Sequence, residues 1–443
     1  MDLGLMQRIL VDGQRRELPR LTERELPLRF IKDMSLAIVG ARRCGKTYRT
    51  HQLVAELMRK KVQREDICRI QFNDLRLARL AAEDLVTIDE AYYALYPEKR
   101  GRRRVWFIFD EIHRVDGWED YILYLLEERL HRVLITGSTS RLLSGRIASA
   151  LRGKNFSSQL FPFSFGEFIR HYGVAPDTVS SGGRSHLRKM FDRYLHQGGF
   201  PGLLDLDPAL HVELLQNYWE TMLLRDVVEA HPHENIRFST LSYFAQALAS
   251  RVACPMTVRG IGVGMTEAGL QVSGETLYRY LQHLEEAFML VAVPFYSKSE
   301  RVRNRHYRKV YAVDWALAGS VAPGEGIDLS RRLENLVYVE LRRRGYDVYY
   351  YRTRKGYEID FVAVPRKPLA AGRRLFQVCY RFGDSEVRRR ELRGLAETLD
   401  FLKIAQATVL TGNEEKSVTV DGHHVNVVPT WQWLLERKDR SRR

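Results

Sequence analysis

The chain has 443 residues, 45% hydrophobic and 28% charged, which is enough apolar material for two to four packed domains and too much for a disordered chain. Its formal charge of +15, from 70 Lys and Arg against 55 Asp and Glu, favours a polyanionic partner, nucleic acid first among them. Cys44, Cys68, Cys254 and Cys379 stand far apart with no C-x-x-C pair, so the cysteines indicate neither a disulfide framework nor a zinc site. No apolar run reaches the length of a membrane span and the first residues lack a signal-peptide pattern, so a cytoplasmic protein with no membrane partner is expected.

Residues 1–30 are mixed and charged and read as a helical lead-in. The apolar run Ser35-Leu36-Ala37-Ile38-Val39 then reads as a buried strand. It is followed at once by Gly40-Ala41-Arg42-Arg43-Cys44-Gly45-Lys46-Thr47, a complete G-x-x-x-x-G-K-[ST] pattern. Tyr48, Leu53, Val54 and Leu57 continue at helical spacing. Strand, glycine loop and helix are the setting in which backbone N–H groups curl around phosphate oxygens and a helix start adds a favourable dipole. In that setting Lys46 reaches the terminal phosphates and the Thr47 hydroxyl holds Mg²⁺.

Alternating strands and helices continue to about Tyr172, with strands expected at residues 67–72, 105–109, 133–136 and 157–161. That pattern predicts an α/β domain, a parallel sheet with helices on both faces. The run Val105-Trp106-Phe107-Ile108-Phe109 ends in Asp110-Glu111. Two acids at the mouth of a buried strand, downstream of a phosphate loop, divide the work: Asp110 orders Mg²⁺ and Glu111 polarises the attacking water. The next strand ends in Gly137-Ser138-Thr139-Ser140, where Ser138, or alternatively Thr139, is placed to touch the γ-phosphate; the ordinary role for such a turn is a helix cap.

Beyond the loop-forming stretch 175–184, helical patterns resume at His186 and break at Gly198-Gly199-Phe200-Pro201-Gly202. Between 236 and 314 a short helical array precedes two strands, 290–295 and 310–313, joined by a basic loop carrying Lys298, Arg301, Arg303, Arg305, Arg308 and Lys309. This layout predicts a winged helix. Leu277, Leu281, Leu284 and Phe288 form the apolar stripe of its last helix, with Arg279, Gln282, His283 and Glu286 outside; Glu285 and Glu286 argue against deep insertion in a groove. Further basic clusters lie at 102–104, 388–390 and 437–443.

The last region places a helix, 331–344, before strands carrying Asp360 and Gln377-Val378-Cys379. That is the layout of restriction-endonuclease-like nucleases, with Asp360 as the strand carboxylate and Glu334 or Glu340 as the helix carboxylate. The acid-x-Lys triplet has become Gln-Val-Cys, so the expected ammonium is missing; Arg352, Arg354, Lys355 or Arg381 are candidates to replace it. An inactive fold used for binding or assembly is expected over a working nuclease.

Several stretches together resemble a known family, the prokaryotic AAA-like P-loop ATPases with a C-terminal restriction-endonuclease-like region of unknown function. They include residues 36–47, Asn73-Asp74-Leu75-Arg76-Leu77, Phe109-Asp110-Glu111-Ile112-His113 and Gly117-Trp118. Thr136-Gly137-Ser138, Leu151-Arg152-Gly153 and the run from Phe161 to Phe168 also match. So do Gly198-Gly199-Phe200-Pro201, Leu224-Arg225-Asp226-Val227-Val228, Leu333-Glu334-Asn335-Leu336-Val337 and Tyr357-Glu358-Ile359-Asp360-Phe361-Val362. The resemblance implies ATP binding and hydrolysis with Mg²⁺, and an arginine that reaches a γ-phosphate in cis or from a neighbour: Arg152 first, Arg146 second. Lys154 stands where the family has a second arginine, which keeps the charge and loses the bidentate fork.

The expected organisation is a lead-in over 1–30, a P-loop AAA-like domain over 31–172 and a helical connector over 173–235. A winged-helix-like domain over 236–314 and a degenerate restriction-endonuclease-like α/β domain over 315–443 complete it. The leading expectation is an Mg²⁺-dependent ATPase acting on or with nucleic acid, DNA ahead of RNA, with a protein partner or second copy as a further contact. The competing readings are an ATP-gated DNA-binding switch with slow hydrolysis and an ATP-dependent nuclease.

Overall fold

In a computed structural model, residues 1–127, 130–138, 150–324, 326–366, 372–383 and 385–436 are described. Thr139, Arg146 and the basic tail 437–443 lie outside them. The chain is an α/β protein that divides into two units, Met1–Leu160 and Phe161–Arg443.

In the first unit, five strands form a wholly parallel sheet: β1 (Ser35–Val39), β2 (Ile67–Gln71), β3 (Trp106–Asp110), β4 (Arg132–Gly137) and β5 (Asn155–Gln159). Their order is β2-β3-β4-β1-β5. All five residues of β1 are buried, which is why its sequence is an unbroken apolar run rather than an alternation. Helices α2 (Lys46–Arg59), α3 (Val86–Leu95) and α4 (Trp118–Glu127) connect the strands. The order sets β4 between β1 and β3, so the ends of three strands converge at one edge of the sheet.

The lead-in is helical only over α1 (Leu3–Arg15). Residues 17–34 form neither helix nor strand, and Leu18, Leu26, Leu28 and Phe30 pack against the core formed by Leu36, Ile38, Leu53, Leu57 and Ile108. Charged residues between those four apolar ones hide their role from a helical reading.

The second unit opens with α5 (Phe165–His171), whose start is fixed by a reciprocal capping box between Ser164 and Glu167. Helix α6 (Ser181–Gln197) begins inside the stretch expected to be loop, because Ser180 caps it by accepting from the Gly183 amide at 3.0 Å. The Gly198-Gly199 turn is set by a buried acid. The Gly199 N–H donates to Asp314 Oδ2 at 2.7 Å, and a Cβ on Gly198 would lie 2.5 Å from Asp314 Oδ1. Gly198 also has φ +82°, so only glycine fits the turn without strain.

Helix α7 (His211–Met222) runs into a π-helical turn over Leu223–Val228. Next come α8 (Phe238–Ala249), β6 (Pro255–Met256), α9 (Val258–Glu267), α10 (Gly274–Glu286), β7 (Leu290–Val293), α11 (Glu300–Arg305) and β8 (Arg308–Ala312), with sheet order β6-β8-β7. After α12 (Trp315–Gly319) the chain enters α13 (Leu329–Arg343).

A six-stranded mixed sheet completes the unit. It contains β9 (Tyr346–Arg352), β10 (Glu358–Pro365), β11 (Arg374–Cys379), β12 (Ala407–Thr411), β13 (Lys416–Val420) and β14 (His423–Pro429), in the order β13-β14-β12-β11-β10-β9. Strands β9, β10 and β11 form an antiparallel meander, and β12 joins β11 in parallel after α14 (Ser385–Leu402). The last described helix is α15 (Thr430–Leu435). Asn335 of α13 ties this region to β8: its amide both accepts from and donates to the Ala312 backbone, at 2.7 and 3.0 Å.

Candidate nucleotide site

The glycine loop folds as its spacing requires. Gly40 has φ +154°, and an added Cβ would meet the Leu160 carbonyl oxygen at 2.1 Å, so no side chain is accommodated there. Gly45, left-handed at φ 101°, stands at the N-cap of α2 and offers no side-chain cap. No cap side chain therefore stands between the start of α2 and an anion. Cys44 is fully buried within the loop, and burial pushes its thiol pKa up, which leaves it a packing residue rather than a nucleophile. Arg24, from the lead-in, donates to the Cys44 carbonyl at 2.7 Å, bracing the loop from behind.

Lys46 is buried at the start of α2, and its ammonium donates to the Gly40 and Ala41 carbonyls at 3.0 and 3.1 Å. It also lies 3.9 Å from Glu111 Oε1. The loop thus holds its own lysine, and the acid from β3 lies next to it. Thr47 is half-buried, Arg42 partly buried and Arg43 exposed, with Arg43 left-handed at φ 68°.

Asp110, the last residue of β3, is buried and held on both oxygens. Thr136 of β4 donates its hydroxyl to Oδ1 at 2.7 Å, Gln71 of β2 donates to Oδ2 at 3.2 Å, and the Arg69 guanidinium lies 3.7 Å from Oδ2. The Thr136 hydroxyl in turn accepts from the Glu111 amide at 2.9 Å. Glu111 is left-handed at φ 62°, a conformation a glutamate adopts only where its surroundings over-determine it. Its carboxylate remains partly open, with His113 Nε2 3.5 Å from Oε2.

Ser138 is buried just past β4, between the strand ends that carry the loop and the acids, and Arg152 is exposed with φ 48°. The residues that the motif reading missed are Thr136, Arg69, Gln71, Arg24 and His113. Only Thr136 carried a signal, a hydroxyl closing an otherwise apolar strand.

The nuclease-like cluster has an occupant that the sequence did not reveal. Asp360 of β10 is buried, Glu334 of α13 is half-buried beside it, and Glu358 at the start of β10 keeps its side chain 32% exposed. The ammonium among them belongs to Lys309 of β8, at 2.7 Å from Glu334, 2.9 Å from Glu358 and 3.2 Å from Asp360. The basic-loop expectation for Lys309 is therefore corrected, since it is 1% exposed and turned inward by these three carboxylates. Burial, reinforced by the charge of Asp360, pushes the Glu334 carboxyl up.

None of the residues expected to supply the ammonium does so. Arg352 donates to the Tyr307 hydroxyl and Lys355 pairs with Glu397, while Arg354 and Arg381 are exposed. Glu340 is paired with Arg343 and Arg344 instead of facing Asp360. Gln377 bridges the Asp360 amide and Glu391, a structural use of its neutral group.

Residues 32–169 match the family model described as an AAA domain. The first unit therefore carries an AAA-type, ATPase-like P-loop domain. Residues 188–328 and 330–433 match two families described as domains of unknown function (DUF8612 and DUF4143). An uncharacterized protein of Methanocaldococcus jannaschii is 29% identical over 429 residues, covering 94% of this chain and 91% of its own length. One from Haemophilus influenzae is 28% identical over 410 residues, covering 91% and 95%. Among solved structures, a Walker-type ATPase of Pyrococcus abyssi aligns over 72% of this chain and 95% of its own, with 13% identity and a TM-score of 0.44. No described helix is long and apolar enough to cross a membrane.

Proposed function

We propose that the protein is an Mg²⁺-dependent ATPase that acts on or with nucleic acid. The observation that carries this reading is the convergence at one sheet edge of Lys46, Glu111 and the Thr136-braced Asp110. The fit to a magnesium triphosphate rests on the N-terminus of α2, where Gly45 brings no side-chain cap, and on a loop so tightly turned at Gly40 that the Leu160 carbonyl leaves no room for a Cβ. Residues 40–47 would hold the phosphates, with Lys46 exchanging its loop carbonyls for phosphate oxygens. Thr47 and Asp110 would hold the divalent ion, which neutralises charge on the phosphates when bound. Glu111 orients the attacking water and accepts its proton, Ser138 senses the terminal phosphate, and the exposed Arg152 is available to a second copy of the chain.

Support for nucleic acid comes from the second unit. The order α8-β6-α9-α10-β7-α11-β8, with sheet order β6-β8-β7, suits a winged helix over 236–314 between a helical connector and the α/β region from 315. The acids that argued against insertion of α10 do not stand on its outer face. Glu285 accepts from the Ala292 amide at 2.9 Å, and Glu286 turns to a pair of histidines. Past Glu275 in its first turn, α10 exposes Tyr278, Arg279 and Gln282, and Lys298, Arg301 and Arg305 are exposed on the connection between β7 and β8, the two arginines on α11. An aromatic, an amide and cations on one helix and the connection that follows it suit DNA.

The test is the rate of ATP hydrolysis by the full chain with Mg²⁺, alone and with duplex DNA or RNA. Stimulation by DNA supports the reading. Tight DNA binding with unstimulated, slow turnover instead supports an ATP-gated switch. No hydrolysis under any condition overturns the enzyme.

A further inference from the structure

The sequence placed His283 on the outer face of α10, but it is 5% exposed, and His231 opposite it is 8% exposed. Their rings lie with centroids 3.6 Å apart. Each begins the same short pattern: His231-Pro232-His233-Glu234 precedes α8, and His283-Leu284-Glu285-Glu286 closes α10. The two histidines and the two terminal glutamates converge. His283 Nε2 is 3.0 Å from Glu234 Oε2, and Glu286 Oε2 is 3.5 Å from His231 Nε2 and 4.0 Å from His283 Nδ1.

Proton positions leave this convergence incompletely satisfied without a cation. His231 Nδ1–H donates to the Val227 carbonyl at 2.7 Å, at the end of the π-helical turn, so in the neutral ring Nε2 presents a lone pair to the Glu286 carboxylate. Beside Glu234, His283 Nε2 must carry a proton or meet a cation. Its Nδ1 is buried and has no hydrogen-bond partner. Charging His231 alone would repair its contact with Glu286, but it leaves the buried His283 Nδ1 lone pair without a partner, and charging both rings would set two imidazolium ions face to face at 3.6 Å. A single divalent ion satisfies the nitrogen lone pairs and the carboxylates together.

We propose that His231, Glu234 and His283, with Glu286 as a fourth or outer ligand, form a binding site for a zinc-class divalent metal. One ligand atom from each of the first three lies within 4.8 Å of the others. A tetrahedral ion bound at about 2.0–2.1 Å needs them at roughly 3.3 Å, which rotation of the glutamate and imidazole side chains supplies. Two imidazoles and carboxylates are the donor set of zinc rather than of Mg²⁺ or Ca²⁺. The Val227 carbonyl on His231 Nδ1 is the outer-shell partner that fixes a metal-binding tautomer. The π-helical turn delivers that carbonyl, a functional use that such turns commonly have. The metal fastens the segment before α8 to the C-terminal end of α10, and so fixes the helix whose outer face carries Tyr278, Arg279 and Gln282.

The experiment uses the full chain purified without chelator, followed by metal analysis, and the chelated protein titrated with Co²⁺ and then Zn²⁺. The expected results are about one zinc per chain, a tetrahedral Co²⁺ visible spectrum bleached by Zn²⁺, and a melting temperature that rises with Zn²⁺. H231Q and H283Q should weaken binding by roughly 100-fold or more, while H233Q, altering the exposed neighbour, binds like the parent. Should the histidine variants fail to fold, E286Q provides the same readout through a shifted Co²⁺ spectrum. Absence of stoichiometric metal, or a Co²⁺ spectrum that is octahedral and unchanged in H283Q and E286Q, overturns the site.

Discussion

The Thr136 hydroxyl donates to Asp110 Oδ1 at 2.7 Å, across from one strand of the parallel sheet to its neighbour. Because the same hydroxyl accepts from the Glu111 amide, one side chain fixes the positions of both acids. Replacing it with valine leaves a buried carboxylate oxygen and a backbone N–H unpartnered. T136V should cost about 1–3 kcal/mol in denaturant unfolding. It should also slow ATP turnover by roughly tenfold or more, as loss of outer-shell support does. T136S, which keeps the hydroxyl, should recover both; a T136S variant as slow as T136V would show that the methyl group matters instead.

Lys309 gives a prediction of the opposite kind. Its buried ammonium is the shared partner of the buried Asp360, the half-buried Glu334 and the partly exposed Glu358. K309M removes the cation and leaves the acids to repel one another, which should cost about 3–5 kcal/mol. Adding E334Q and D360N to K309M should recover part of that loss. Equal stability of K309M and the parent in urea unfolding would contradict this reading. The parent, with its own cation seated among the carboxylates, should cleave no DNA or RNA in Mg²⁺ or Mn²⁺.

The pH dependence of the first unit has a source in His51. Burial, followed by the charge of Arg69, holds its pKa down from 6.5 to about 4, with Asp110 opposing and Arg16 adding to the depression. The ring is neutral in the fold and accepts from Arg69, whereas the unfolded chain protonates it near 6.5. The unfolded state therefore binds more protons between these values, and stability falls as pH drops from about 6.5 toward about 4. H51Q should flatten that part of the stability profile, measured as parent minus variant. A difference that does not vary with pH would contradict it.

Nucleic-acid contact predicts a charge signature. R301A and R305A alter exposed side chains and should leave melting unchanged. Each should weaken DNA binding at all sequences, and each lost phosphate contact should reduce the slope of log affinity against log salt by about 1. Fluorescence anisotropy at several salt concentrations measures both. A slope unmoved in the double variant would place the contact elsewhere.

The first unit was largely legible because its strands are buried on both faces and therefore continuous in sequence, as in Ser35–Val39 and Trp106–Asp110. The glycine loop was legible because Gly40 and Gly45 adopt backbone conformations that few other residues can. What escaped were side chains whose meaning depends on non-local packing. Lys309 looked like one cation among six until the fold set it among carboxylates more than 20 positions away in the chain. His283 sits beside an apolar stripe at a spacing that fits either face of α10, and only His231 from another segment decides the matter. Residues 17–34 were unreadable for a related reason, since their apolar residues follow the surface of a core rather than any helical or strand period.

The central claim is a triphosphate held by residues 40–47 and cleaved beside Glu111, and the most direct measurement is the binding and fate of labelled ATP on the parent, K46A and E111Q. The account predicts Mg²⁺-dependent release of phosphate by the parent, uncleaved ATP retained by E111Q with parental affinity, and no retention by K46A. Parental binding and turnover in K46A, or full turnover in E111Q, would contradict it.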